Sequence, residues 1–236
     1  MIRFDSQLFK LRVPHSQVQD LEEDSQILAT ARPAEIVPAM IKRTLDCLFS
    51  TVLLVLSAPL LFVIAVLIRL TSPGPVFFRQ VRVGLNKRQF SIYKFRTMVA
   101  DAEQLQDQLL AMNEMTGPVF KIKQDPRVTP LGRILRKTSI DELPQVFNVL
   151  MGDMSLVGPR AMSLRDYQLF DQDWQRRRFS VKPGITCLWQ IHGRNSVPFE
   201  KWMELDMQYI DKWSLWLDLK ILARTVPAVL RGTGAA

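Results

Sequence analysis

The densest apolar run is Cys47 to Ile68, CLFSTVLLVLSAPLLFVIAVLI, 22 residues without a charge. At about 1.5 Å of rise per residue, a helix of that length matches a bilayer core of about 30 Å. Pro59 stands near its midpoint, just after Ser57 and Ala58, and removes a backbone donor there. A Ser-x-Pro break at membrane depth bends a helix and partly re-satisfies the freed groups. Both flanks are basic, with Lys42 and Arg43 before the run and Arg69, Arg79 and Arg82 after it. The positive-inside rule then places both ends on the cytoplasmic side. The pattern favours a re-entrant helix-break-helix over about residues 44–70, with a single span kinked at proline as the alternative.

The remaining pattern is mixed. Thr71-Ser72-Pro73-Gly74-Pro75 is a breaker. Val76–Gln80 and Phe90–Phe95 read as short strands joined by a turn at Gly84-Leu85-Asn86-Lys87. Asp101–Met115 reads as a helix with Leu105, Leu109 and Met112 as its stripe. Val119, Phe120 and Ile122 suggest a strand, followed by a turn at Asp125-Pro126-Arg127. Leu164–Phe179 reads as a polar helix ending in Arg176-Arg177-Arg178, a run suited to solvent or anionic lipid. Lys182–Thr186 is a loop, and Glu200–Lys212 a helix with Trp202, Leu205, Met207 and Ile210 as apolar members. Trp213–Leu230 is apolar but interrupted by Asp218, Lys220, Arg224 and Pro227. That fits an interfacial helix with Trp213 and Trp216 at headgroup level, or a buried core helix. Residues 1–38 are polar and contain Pro14, Pro33 and Pro38. They read as an extension with a helical piece over Gln17–Ala31, and no apolar h-region marks a signal peptide. The expected fold class is α+β and predominantly helical. It comprises a re-entrant membrane helix, interfacial amphipathic helices and a small β element around the site.

Charge sharpens this picture. The 236 residues carry a formal +8. Residues 1–38 hold six acids and four bases, so the rest is near +10. A basic body points to an anionic partner: lipid headgroups, a nucleotide or nucleic acid. Cys47 and Cys187 give neither a disulfide framework nor zinc spacing. His15 and His192 lie far apart, which argues against a histidine metal site.

Candidate chemistry concentrates between Gly132 and Arg160, around Asp141-Glu142. Arg133, Arg136 and Lys137 precede the pair and Gly158-Pro159-Arg160 closes the stretch. Adjacent carboxylates facing several cations suit phosphate or Mg²⁺ chemistry, as nucleophile, base or hard oxygen ligand. A capping box with Ser139 as N-cap and Glu142 at N3 explains the same residues structurally. Asp141 as the cap would instead place Pro144 in the first turn, where proline is tolerated. Lys94 and Arg96 could meet phosphates or simply be solvated strand charges. Gly193-Arg194-Asn195 presents one guanidinium in a turn, suited to a diphosphate.

Taken in order, the motifs are far more specific than any one of them. They begin with Lys42-Arg43-x-x-Asp46, Ser57-Ala58-Pro59, Ser72-Pro73-Gly74-Pro75-Val76 and Tyr93-Lys94-Phe95-Arg96-Thr97-Met98. Thr138–Gln145, Phe147–Leu150, Gly152–Arg160, Lys182–Thr186 and Gly193-Arg194-Asn195 complete them. From about Ile41 to Leu230 the chain resembles the bacterial sugar transferase family, the monotopic phosphoglycosyl transferases. The resemblance implies transfer of a sugar 1-phosphate from a UDP-sugar to polyprenyl (undecaprenyl) phosphate, initiating exopolysaccharide or other surface glycan synthesis. It implies an aspartyl phospho-sugar intermediate on Asp141, with release of UMP. It assigns Mg²⁺ to Asp141 and Glu142, and phosphate contacts to Arg136, Pro159, Arg160 and Arg194, with Lys94 and Arg96 beside them. Ser57 and Pro59 match the family's membrane break. The implied domains are a 1–38 extension and a membrane-associated catalytic domain over 39–236. The implied location is the bacterial cytoplasmic membrane, with the site on the cytoplasmic face. The implied partners are UDP-sugar, polyprenyl phosphate and the lipid bilayer, with no nucleic acid; a homodimer stays open.

The chain departs from the family pattern in two places. Ala161 follows Pro159-Arg160 where the family usually has proline, and Cys187 follows Pro-Gly-Ile-Thr where it commonly has glycine. These are the hints toward the alternative, a catalytically lapsed membrane-anchored scaffold of a polysaccharide assembly complex. A basic membrane-anchored nucleic-acid-binding protein accounts for the charge but not for Asp141-Glu142. The segment 116–130 looks more like the long relatives, which leans toward a hexose phosphate such as glucose or galactose.

Overall fold

The computed structural model describes residues 33–105, 107–114, 119, 122, 124–170, 172–193 and 197–231. The chain falls into two compact units, 1–39 and 40–236. Of the first, the described part is the start of a helix. The Gln17–Ala31 expectation lies outside the described residues.

Helix α1 runs from Pro33 to Thr71, and its Val37–Thr71 part is long and apolar enough to cross a membrane. Its helical assignment continues through Pro59 rather than stopping there. The Ser57 hydroxyl donates to the Leu53 carbonyl at 2.7 Å, the back-bonding that accompanies helix bending. No residue from Thr51 to Val63 is buried. Asp46 and Ser50 on one side, and Ile64 and Ile68 on the other, are buried.

The breaker after α1 leads into strands β1 (Phe77–Val83) and β2 (Gln89–Phe95), paired antiparallel from Phe77↔Phe95 to Val83↔Gln89. The expected turn is present, tightened by Asn86 and Lys87 at positive φ. The expected helix over Asp101–Met115 is instead a set of turns and a 3₁₀ segment at Asp107–Met112. Among the described side chains of its expected stripe, Met112 is exposed and Leu105 and Leu109 are only half-buried, too little burial to stabilise an α-helix.

Helices α2 (Pro130–Lys137) and α3 (Gln145–Met151) flank a 3₁₀ turn at Ile140–Glu142. Thr129 caps α2 by accepting from Gly132 N at 3.0 Å. Gly132 is required there, because a Cβ would lie 2.1 Å from the Thr97 carbonyl oxygen. Strand β3 (Ser155–Val157) follows, then β4 (Met162–Ser163), which joins β1 to make the sheet β2-β1-β4. Later β5 (Gly184–Thr186) pairs parallel with β3. The backbones meet so closely that a Cβ on Gly184 would lie 2.1 Å from Gly158 N.

The expected helix over Leu164–Phe179 breaks into α4 (Leu164–Gln168), α5 (Asp173–Arg176) and a 3₁₀ turn at Arg177–Ser180. Phe170 and Phe179 both enter the core and pack with Tyr167. Nine residues apart, they would face opposite ways on one helix at 3.6 residues per turn. Helix α6 (Leu188–Ile191) is short, α7 (Phe199–Asp211) matches its expectation, and α8 spans Leu215–Arg231. Trp216, Leu219 and Val226 stay exposed on α8, while Ile221 of the same helix is buried in the core. Trp213 does not join them. It packs against the core and its indole N–H donates to Asp218 at 3.3 Å.

The main core gathers β1–β5 with α3, α6, α7 and α8. A second cluster joins Ile64 and Ile68 of α1 to Phe95 and Leu135, with Ile140 packed against it. The C-terminal limb of α1 therefore lies directly beneath the turn that carries Asp141. The N-terminal limb is tied to the same body by polar contacts. Arg43 donates to the Val149 and Leu150 carbonyls, Asp46 accepts from Ser155, and Lys42 pairs with Asp218 at 2.6 Å.

Candidate active site

Asp141 and Glu142 do not form a capping box. Ser139 is left-handed, at φ 56° and ψ 16°, and makes no side-chain cap. The chain ends the 3₁₀ turn at Glu142 and starts α3 after Pro144, where the missing N–H costs nothing. A non-glycine residue in the left-handed region costs about 1–2 kcal/mol, and here it turns both carboxylates toward a cavity of about 910 Å³.

The two acids have different surroundings. Glu142 accepts from Lys94 Nζ at 2.6 Å and from Arg160 Nη2 at 2.8 Å. Burial alone would push its carboxyl up, but Arg160 and Lys94 hold it well below the ordinary range. Asp141 is buried yet accepts no side-chain hydrogen bond from a described residue. Burial, and then the charge on Glu142, push its carboxyl up to about 6, against Lys94, Arg136 and Arg160. Environments that separate two neighbouring carboxylates in this way assign them different tasks.

The structure brings most of the expected site residues together. Asp141, Glu142, Arg136, Arg160, Lys94 and Arg96 all line the cavity. Arg136 is held by its Nε–H to the Thr97 hydroxyl at 2.9 Å. Burial lowers the pKa of Lys94, which Glu142 opposes, whereas Glu142 raises that of Arg160. Arg96 lines the cavity and is buried, and its two terminal nitrogens are engaged. Its guanidinium donates to the carbonyls of Pro73 and Ser72, both at 2.7 Å, and clamps the loop after α1. Pro159 does not line the cavity; its carbonyl accepts from Gly184 N at 2.9 Å and fixes the segment from which Arg160 projects. Ser57 and Pro59 lie in the exposed middle of α1. Arg194 lies outside the described residues.

Sequence reasoning missed several wall residues. Arg82, Arg127, Asp166, Trp189 and Gln190 also line the cavity. Burial, and then Arg160, lower the Arg82 pKa to about 10. Arg127 is held by Asp125 at 2.6 Å, within the turn read from the sequence. In the sequence Arg82 stood only as a basic flank of the apolar run, with no direction toward Asp141. Both departures from the family pattern, Ala161 and Cys187, are buried in the core, and Cys187 has an extended backbone at φ −158°.

The family model for bacterial sugar transferases matches residues 37–232. The chain belongs to this family. It is 55% identical over 163 residues to the galactosyl transferase CpsE of Streptococcus agalactiae, covering 69% of this chain and 36% of that protein. It is 40% identical over 199 residues to the undecaprenyl-phosphate galactose phosphotransferase of Salmonella typhimurium, covering 83% and 41% respectively. Against the exopolysaccharide production protein ExoY of Rhizobium meliloti, it is 38% identical over 206 residues, covering 84% and 89%. The chain thus spans about two-fifths or less of the first two relatives and most of the third. All three alignments fall on a chain whose family match includes the whole Asp141 site.

Proposed function

We propose that this protein transfers a sugar 1-phosphate from a UDP-sugar to undecaprenyl phosphate at the cytoplasmic face of a bacterial inner membrane. The carrying observation is the division of labour at the pair: Glu142 is saturated by Lys94 and Arg160, while Asp141 faces the cavity without a hydrogen-bond partner among the described residues. An Asp141 carboxylate oxygen attacks the sugar-bearing phosphorus. The bond to the bridging oxygen breaks, and UMP leaves with the electron pair. An oxygen of undecaprenyl phosphate then attacks the same phosphorus, forming the diphosphate link and returning Asp141 as a carboxylate. Arg136, Arg160 and Lys94 stabilise negative charge as it develops. The names of the galactose-handling relatives favour a hexose, galactose first.

Mg²⁺ fits this donor set as an open site. Among the described residues no three His, Cys, Asp or Glu side chains gather as a cage. Mg²⁺ commonly takes one or two carboxylates and completes its shell with substrate phosphates and water. Asp141 suits that role, and Glu142 would join by exchanging Lys94 or Arg160. Bound there, the ion would neutralise diphosphate charge.

The two limbs of α1 pack on the same catalytic body while the stretch between them is exposed. That arrangement supports a helix that enters and leaves the membrane by one face.

Intact-mass analysis tests the chemistry. Purified protein mixed with Mg²⁺ and UDP-galactose or UDP-glucose, without lipid acceptor, should gain a sugar-phosphate adduct mapping to Asp141. A folded Asp141→Asn protein should gain none. Wild-type turnover by that variant would end the reading.

A further inference from the structure

The run Arg176-Arg177-Arg178 does not behave as a unit. Arg176 and Arg177 are partly exposed and pair with Asp173 and Asp211. Arg178 is buried, with only 2% of its surface accessible, and pairs with the equally buried Asp206 of α7 at 2.8 Å. A buried ion pair is weak evidence for stability, because desolvation offsets its attraction. Its other contacts indicate a use. The same Arg178 Nη2 donates to the Arg160 carbonyl at 2.7 Å. The Arg178 guanidinium lies over the Trp202 ring at 5.4 Å, Trp202 stacks on Trp189 at 4.7 Å, and Trp189 carries the Arg160 guanidinium at 5.7 Å. Arg178 thus reaches Arg160 twice, through its backbone and beneath its side chain.

We propose that Arg178, held by Asp206, is a positioning residue that fixes Arg160 on Glu142 and so sets the phosphate-binding geometry beside Asp141. It touches neither substrate nor reacting atoms, and the inference rests on the proposed transfer reaction. Arg160 alone leaves its long side chain several rotamers. The carbonyl tether fixes where its Cα stands, and the tryptophan pair limits where its guanidinium can lie. Planar, forked geometry suits arginine to this task where lysine would lose a donor.

A double-mutant cycle tests it, with steady-state UMP release from UDP-galactose and UDP-glucose and thermal unfolding measured for each protein. The first perturbation is Arg178→Met with Asp206→Leu, which leaves no unpaired buried charge. Arg178→Lys, which keeps the charge beside Asp206, is run in parallel in case the apolar pair fails to fold. The second perturbation is Arg160→Lys, and Arg136→Lys serves as the control partner. Positioning through Arg160 should lower kcat by about tenfold or more with KM little changed, as expected when only transition-state contacts are lost. The cost should largely vanish in the Arg160→Lys background and persist beside Arg136→Lys, since coupling appears only where two residues act together. Additive costs in both backgrounds, or wild-type kcat in a folded Arg178 variant, would overturn the positioning role alone. Absence of UMP release by wild type would overturn the transfer reading and this inference with it.

Discussion

Arg160 meets Glu142 with both terminal nitrogens, Nη2 at 2.8 Å from Oε1 and Nη1 at 3.4 Å from Oε2. Lys94 takes the same Oε1 at 2.6 Å. Glu142 therefore anchors two cations beside a carboxylate that has no such partner among the described residues. Glu142→Gln should have two separable effects. Removing its charge lowers the Asp141 pKa, so the acid limb of kcat/KM should move to lower pH. Loosening Arg160 and Lys94 should cut the plateau rate by about tenfold or more. A pH profile of UMP release checks both, and an acid limb moving upward would contradict the assignment.

Arg96 is a clamp on the loop after α1, so its removal should be felt in folding first. Hydrogen bonds from a charged group contribute about 1.5–3 kcal/mol. Arg96→Ala should lower unfolding stability by about that amount while the folded fraction keeps its KM for UDP-sugar. Lys94→Ala should show the reverse balance, with a large loss of turnover. Denaturant titration beside steady-state kinetics separates the two.

Much of this was legible in the sequence. Cys47–Ile68 declared an apolar helix by length alone, the β1–β2 hairpin by its runs and turn, and Asp141-Glu142 by its setting among cations. What was not legible depends on distant partners. Arg178 looked like its two neighbours because only the fold brings Asp206 and Arg160 to it. Nothing local announces that the Arg96 guanidinium turns back to Ser72 and Pro73. Ser139 fitted a capping box in one dimension, whereas its left-handed backbone separates the 3₁₀ turn from α3. The break between Phe170 and Phe179 was hidden because polar periodicity does not reveal which two aromatics share a core.

Asn148 closes the outer edge of β2. Its amide donates to the Ser91 carbonyl at 2.7 Å and accepts from Tyr93 N at 3.1 Å, standing in for a further strand. Asn148→Ala would remove the partner of both part-buried backbone groups, so stability should fall by about 1 kcal/mol or more. Asn148→Asp should also destabilise, because a carboxylate cannot donate to Ser91. Thermal unfolding of both variants measures this.

The membrane arrangement predicts that both ends of α1 share one side. In a Cys47→Ser background, with Cys187 buried, single cysteines at Met40 and Pro75 should label only when the cytoplasmic face is accessible. Opposite-side labelling would mean a full span. Pro59→Ala restores a helix donor and removes the ring clash, so it should shift part of the population toward that span.

The sharpest expectation concerns the protonation of Asp141. A free aspartate titrates near about 3.9, whereas burial and then Glu142 hold this one up to about 6. The nucleophile must be ionised, so kcat/KM should fall about tenfold per pH unit once Asp141 takes a proton, and the acid limb should move to lower pH as Mg²⁺ is raised. The same shift acts on stability with a definite sign. Between roughly pH 4 and pH 6 the folded protein holds a proton at Asp141 that the unfolded chain releases. Asp141 thus favours the folded state at low pH, and that contribution is lost as pH rises through about 6. Glu142, held below its ordinary value, acts the other way: its contribution is present above the unfolded pKa and lost as pH falls. Asp141→Asn carries no titrating group, so its stability relative to wild type should rise by up to about 3 kcal/mol from pH 4 to pH 7. Denaturant unfolding of both proteins at those two pH values, beside the wild-type pH–rate profile, tests the pair of expectations. No pH-dependent stability difference in metal-free buffer would mean a solvated carboxylate at position 141 rather than the buried one that the structure places there.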